Sequence, residues 1–198
     1  HIPFCRDRCT YCSFTTSRDE TLKPAVLARL GTELELWGEA LDHPAVDTIY
    51  VGGGTPSLLH PEEVAALLTE AHAAFDLRSV EEITLEANPG TLDREALQRL
   101  RALGVDRLSL GVQSLDDTLL RRLGRIHDGA RALEAIHQAR SAGFRRLSAD
   151  LMLGIPGQNL ERVLQDARTL VEAGVTHLSI YLLDLDKACP LQRQVERG

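Results

Sequence analysis

Three of the chain's four cysteines fall within eight residues, in the string Cys5-Arg6-Asp7-Arg8-Cys9-Thr10-Tyr11-Cys12. Gaps of three and two residues make the sulfurs converge, and an odd set of three cannot close on itself as disulfides. The pattern therefore points to a metal. Structural zinc takes four protein ligands, which would need Cys189, far along the chain, or His1. An iron–sulfur cluster on three thiolates instead leaves one iron without a protein ligand, a vacancy that a small molecule can take.

A second candidate follows the short apolar run Thr48-Ile49-Tyr50-Val51 as Gly52-Gly53-Gly54-Thr55-Pro56-Ser57. Glycines at the end of a strand let a ligand approach the backbone closely, although a tight strand-to-helix turn uses the same residues. Glu86, Gln113 and Asp150 each interrupt an apolar strand near its C-terminal end. In β/α barrels that end of the sheet is where ligands bind.

The elements that must carry these residues can be read from periodicity. Val26, Leu30, Leu34, Trp37 and Leu41 predict a helix with one buried face, with Trp37 as its packing anchor. A further helix is expected to open at Pro61, where Pro suits the first turn and Glu62 and Glu63 suit the positive end of the dipole, with Val64, Leu67, Leu68 and Ala71 facing inward. Ile83 to Ala87 predicts a strand, followed by a helix from about Asp93. Three similar strings, Ala102-Leu103-Gly104-Val105, Ser141-Ala142-Gly143-Phe144 and Glu172-Ala173-Gly174-Val175, each precede a Leu-Ser strand. Each reads as a helix ending in a left-handed glycine cap closed by the next apolar residue. With His1 to Phe4 as the remnant of a first strand, six strands alternate with helices, which implies a parallel sheet. Periodicity leaves an open doubly wound sheet and a complete or partial barrel equally available.

At 198 residues the chain fits one domain with a substantial core. The formal charge of −7, with both signs interspersed, offers no basic face to a phosphate backbone, so nucleic acid is not expected as a partner. No apolar run is long enough to span a bilayer and no leader pattern stands at the start, so no transmembrane segment is expected and the chain reads as cytoplasmic. His1 in place of an initiator Met suggests residues upstream, and the stop at Gly198 after the charged stretch Gln192 to Arg197 suggests a further domain beyond it.

The three-cysteine spacing, with Tyr11 before the last cysteine, resembles the signature of the radical S-adenosylmethionine (SAM) superfamily. Leu85-Glu86-Ala87-Asn88-Pro89-Gly90, Gly111-Val112-Gln113-Ser114, Gly124-Arg125-Ile126-His127 and Asp150 through Gly157 further resemble its oxygen-independent coproporphyrinogen III oxidase-like group (HemN/HemW), over nearly the whole chain. The resemblance implies an α/β fold, a partial (β/α)6 TIM-like barrel with parallel strands and helices outside. It implies a [4Fe–4S] cluster on Cys5, Cys9 and Cys12, with SAM chelating the open iron and cleaved by one electron to methionine and a 5′-deoxyadenosyl radical. It also places Gly53, Gly54 and Thr55 at the methionine amino group, and Glu86, Gln113, Arg125 and Asp150 around SAM, with Arg125 suited to the methionine carboxylate. Tyr11 is expected against the cluster or the adenine, or simply in the core; His127 is left without a role, and Cys189 reads as a buried thiol.

Within that group, the porphyrinogen-oxidising members carry a further cysteine two residues past the third cluster ligand, where this chain has Phe14. The resemblance is therefore closest to the heme-chaperone type, which delivers heme to respiratory proteins. The alternative is oxidative decarboxylation of coproporphyrinogen III, a coproporphyrinogen dehydrogenase-type oxidoreductase activity; catalytic residues are not assigned. A radical SAM enzyme acting on RNA is disfavoured by the acidic balance. The implied partners are SAM, heme or porphyrinogen, an electron donor such as flavodoxin or ferredoxin, and a respiratory heme-protein acceptor. The heme-binding His-Asn-x-x-Tyr-Trp segment of the chaperone type belongs to a C-terminal domain and does not occur in residues 1 to 198. The SAM-contacting Tyr of the family stands just before the position of His1, so little turnover is expected from these residues alone.

Overall fold

The computed structural model describes residues 1–185 and 189–196, with the side chains of 194 and 195 left aside; Arg197 and Gly198, at the end of the charged stretch, lie outside the described residues. The elements run in chain order as α1 (Lys23–Ala40), β1 (Thr48–Val51), α2 (Pro61–Ala74), β2 (Glu82–Ala87), α3 (Arg94–Ala102), β3 (Arg107–Gln113), α4 (Asp117–Arg122), α5 (Gly129–Ser141), β4 (Arg146–Leu153), α6 (Leu160–Glu172), β5 (His177–Leu182) and α7 (Pro190–Glu196).

Local signals set most boundaries. Asp93, Asp128 and Asn159 cap α3, α5 and α6 by accepting the backbone N–H of Ala96, Arg131 and Arg162. Glu63 reaches back to the His60 N–H at 2.7 Å to open α2 at Pro61. The three expected glycine caps are present: Gly104, Gly143 and Gly174 have φ of 96°, 96° and 98°. The N–H of the next residue, Val105, Phe144 or Val175, bonds back to the carbonyl of Leu100, Ala139 or Leu170.

The sheet has five parallel strands in the order β1-β2-β3-β4-β5. This order resolves what periodicity left open. A doubly wound sheet needs a point where the strand order reverses, whereas same-handed crossovers that always step the same way keep every helix on one face. The fold is the α/β partial barrel. Leu85, Leu108, Leu110, Val112, Leu147, Ala149 and Leu151 bury the helix-side face in one core with Leu97, Leu100, Ile136 and Leu170.

Two expectations are corrected. The first strand does not join the ladder: Ile2 makes a single parallel bridge to Gly53, and Phe4 one to Ser17. Pro3 has no N–H to donate and the chain turns at once into the cysteine loop, so Ile2 and Phe4 are anchored by burial, at 2 % and 1 % exposure, rather than by a ladder. Trp37 is not a packing anchor; it is 55 % exposed, as is Leu41. Helix α1 meets α2 through Gly31 and Gly38, where a Cβ at Gly38 would overlap the Ala74 carbonyl, and this close approach turns the apolar stripe toward Leu27, Leu30 and Leu34.

Candidate functional site

The open face of the sheet carries the polar residues. Side chains alternate along a strand, so Arg107, Ser109, Gly111 and Gln113 of β3 share one face with Glu86 of β2, Asp150 and Met152 of β4, and Ser179 and Tyr181 of β5. With the cysteine loop they line a cavity of about 590 Å³. Cys5, Cys9, Cys12, Tyr11, Gly53, Gly54, Thr55, Glu86, Gln113, Arg125 and Asp150, the residues singled out in the sequence, all lie on its wall.

The cysteine loop is held at both ends. Cys5 donates its N–H to Ser17 O at 3.0 Å, while Thr10 donates N–H to Leu123 O at 3.0 Å and accepts from Leu191 N at 2.8 Å. The glycine run meets it from β1: Ile2 N–H bonds to Gly52 O and Gly54 N–H to Ile2 O, both at 2.8 Å. A Cβ at Gly54 would stand 2.8 Å from Cys5 Sγ, and one at Gly53, whose φ is +132°, would stand 2.7 Å from Ile2 O. These glycines are required for the loop to lie against the strand end.

Two donors face the sulfurs. Thr55 Oγ1 donates to Cys5 Sγ at 3.5 Å, and Arg125 Nη1 to Cys9 Sγ at 3.4 Å. Burial pushes the Cys5 thiol up; the bond from Thr55 opposes this, the nearby Cys12 and Cys9 add to it, and Arg125 lowers it. Arg125 is aimed by Asn88 Oδ1 at 2.5 Å and Gly111 O at 2.6 Å. Burial works against its charge, but Tyr11 and Cys9 more than offset this and hold the guanidinium firmly protonated. Tyr11 packs against Leu119, Leu123, Met152 and Ile155, and burial raises its phenol far above the ordinary value.

Both Glu86 oxygens are held: Oε1 accepts from Tyr50 OH at 2.7 Å and Oε2 from Gly53 N–H at 2.9 Å. Asp150 accepts from Ser109 Oγ at 3.4 Å, and burial raises its carboxyl, with Tyr181 opposing and Glu86 adding to the rise. Asn88, Tyr50, Ser109 and Tyr181 were missed in the sequence. Asn88 bridges Thr55, by its Nδ2 at 3.0 Å, to Arg125. Ser109 and Tyr181 could have been found by extending the two-residue alternation from Gln113 and along β5.

The donor set fits a three-thiolate cluster and a polar small molecule. Gln113 Oε1 and Arg125 Nε are buried with no partner, groups that a ligand's donors and acceptors would satisfy. The zinc alternative needs Cys189 or His1 as a fourth ligand, and neither lines the cavity that Cys5, Cys9 and Cys12 share. Cys189 is 1 % exposed and does not line the cavity; it is a buried thiol, as expected.

Fold and site define a radical SAM domain: the family model "Radical SAM superfamily" matches residues 1–170, and the chain belongs to that superfamily. Its family thereby implies a [4Fe–4S] cluster and SAM. It is 40 % identical over 202 residues to the "Heme chaperone HemW" of Mycobacterium tuberculosis, covering 100 % of this chain and 52 % of that protein. It is 38 % identical over 192 residues to the protein of that name from Haemophilus influenzae, covering 94 % of this chain and 50 % of the relative. Among solved structures it is similar to coproporphyrinogen III oxidase (HemN) from Escherichia coli, with a TM-score of 0.88 and 27 % identity, covering 98 % of this chain and 45 % of that one. The chain spans about half the length of the curated relatives it matches. Among the described residues, no helix is long and apolar enough to cross a membrane.

Proposed function

We propose that these residues are the cluster- and SAM-binding half of a heme chaperone of the HemW type, acting in the cytoplasm. Phe14 carries the reading. It lies on the cavity wall, 60 % exposed, two residues past Cys12, and offers an apolar surface where the porphyrinogen-oxidising members have a thiol. The names of the two relatives from M. tuberculosis and H. influenzae support it.

In this reading Cys5, Cys9 and Cys12 hold the cluster, which supplies one-electron chemistry to SAM when loaded. Gly53, Gly54 and Thr55 receive the methionine end. Arg125, already oriented by Asn88 and Gly111, pairs with the methionine carboxylate. Gln113 Oε1, buried and unpartnered, accepts from an ammonium or ribose hydroxyl of the ligand, with Glu86 and Asp150 beside it. Tyr11 closes the wall next to Cys12. An electron donor such as flavodoxin or ferredoxin and a respiratory heme-protein acceptor complete the scheme. The likeness to HemN, at 0.88, favours coproporphyrinogen III decarboxylation as the second reading.

The test uses the intact protein, reconstituted anaerobically. Stoichiometric heme binding without conversion of coproporphyrinogen III selects the chaperone; formation of protoporphyrinogen overturns it. Arg125→Ala is expected to weaken SAM binding about tenfold or more, as for loss of a charged hydrogen-bond partner, while iron and sulfide content stays at the wild-type level. Unchanged SAM affinity removes Arg125 from the site.

A further inference from the structure

Gln113 ends β3 in a conformation that a strand does not offer by itself. Its φ is +69°, and Ser114 N–H bonds back across it to Val112 O at 2.9 Å, closing a three-residue turn of the rare, strained kind. The β3–β4 register shifts between Leu110 and Gln113. A non-glycine residue persists in such backbone only where its surroundings over-determine it, and such strain gathers at ligand sites.

Two buried polar side chains from other parts of the fold meet at this turn. His127 is 4 % exposed and its Nε2 lies 3.2 Å from Val112 O. A carbonyl only accepts, so Nε2 carries the proton; Nδ1 is then the bare nitrogen, and it has no partner. Asp166 of α6 is 2 % exposed, and its Oδ2 accepts from Ser114 Oγ at 2.7 Å and from Leu115 N–H at 3.0 Å. A buried carboxylate is costly unless hydrogen-bonded, and both of these bonds go to the two residues after Gln113. Neither His127 nor Asp166 lines the cavity, whereas Gln113 does. At its other end Gln113 lies over Gly111, where a Cβ would stand 3.3 Å from Gln113 Nε2.

We infer that His127 and Asp166 are positioning residues for the cofactor cleft: one grips the turn before Gln113 and the other the turn after it, so that the Gln113 amide is presented ready-aimed to a donor group of SAM. The inference rests on the reading of this cleft as the SAM site. Pre-organisation of this kind acts on affinity, because the free protein already carries the strained conformer that the ligand needs. It also gives His127 a role that its isolation in the sequence did not suggest.

The experiment measures SAM affinity by equilibrium titration of the intact, reconstituted protein, with iron and sulfide content determined for each variant. Asp166→Leu and His127→Leu are expected to raise the dissociation constant about tenfold, the scale of one misplaced buried hydrogen bond. Asp166→Asn and His127→Gln, which keep an acceptor and a donor at the two grips, recover most of that loss. Ser114→Ala, a milder change than Asp166→Leu, should weaken binding in the same direction and keeps the test open if the leucine variant does not fold. In a Gln113→Ala background none of these substitutions is expected to weaken SAM further, because residues acting through one group are not additive. Wild-type affinity in His127→Leu and Ser114→Ala overturns the inference, and so does a full further loss in the Gln113→Ala background. Absence of SAM binding by the wild-type protein itself overturns instead the reading of the cleft.

Discussion

Gly53→Ala tests the joint between the strand end and the cysteine loop. At φ +132° an alanine is strained, at a cost of about 1–2 kcal/mol for a left-handed residue. Its Cβ would also stand 2.7 Å from Ile2 O and 2.8 Å from Ile2 N, and these are backbone atoms that cannot rotate away. Relief requires moving the His1–Phe4 segment, which is tied on either side by the Ile2 N–H to Gly52 O and Gly54 N–H to Ile2 O bonds. Weakening both adds about 1 kcal/mol each, for a total of about 3–4 kcal/mol. In a chain of 198 residues that lowers Tm by about 6–16 °C. Cys5 follows directly on the displaced segment, so cluster content should fall as well. Gly90→Ala is the control: its φ is +80°, but nothing lies within 4 Å of the added Cβ, so it carries the backbone strain alone. Differential scanning calorimetry and iron and sulfide assays on the two variants separate strain from collision. A Gly53→Ala protein as stable as Gly90→Ala, with full iron content, would refute the argument.

Replacing Cys5, Cys9 or Cys12 with Ala one at a time should abolish the reconstituted charge-transfer absorbance, whereas Cys189→Ala should retain it, since that thiol stands apart from the cavity; loss in Cys189→Ala would make it a ligand. Acidification should destabilise the protein before cluster reconstitution through His127, which burial first and Arg125 second hold down at about 4 against an ordinary 6.5. Below pH 6.5 the unfolded chain takes up the proton and the folded one does not, so this stability, complete above pH 6.5, falls by about 3 kcal/mol by pH 4. Urea denaturation across that window should show the slope in wild type and a shallower one in His127→Gln; identical slopes would remove His127 as the cause.

Much of the site was legible because its residue types are costly anywhere else. Three thiols at close spacing, a glycine run after a strand, and Glu86, Gln113 and Asp150 breaking apolar strands each conflict with plain packing, and conflicts of that kind concentrate where function is. The residues that support them were less visible. Asn88 and Tyr50 act through partners distant in sequence, Thr55 and Glu86, and no local pattern encodes a contact across separate strands. Trp37 misled because helical spacing identifies a stripe but not which side a neighbour will cover, and the glycines of α1 drew α2 to the other side.

By itself the sequence determined the alternation of strand and helix, the glycine caps at Gly104, Gly143 and Gly174, and the close spacing of Cys5, Cys9 and Cys12 that points to a cluster, because capping, periodicity and thiolate chemistry act over a few residues. Only the tertiary structure decided between barrel and doubly wound sheet, since strand order is a long-range property that periodicity does not carry. It alone brought Asp166 and His127 to the two sides of Gln113. Those bonds join residues 52, 51 and 15 positions apart in the chain, and their partners are set by how the helices pack on the sheet.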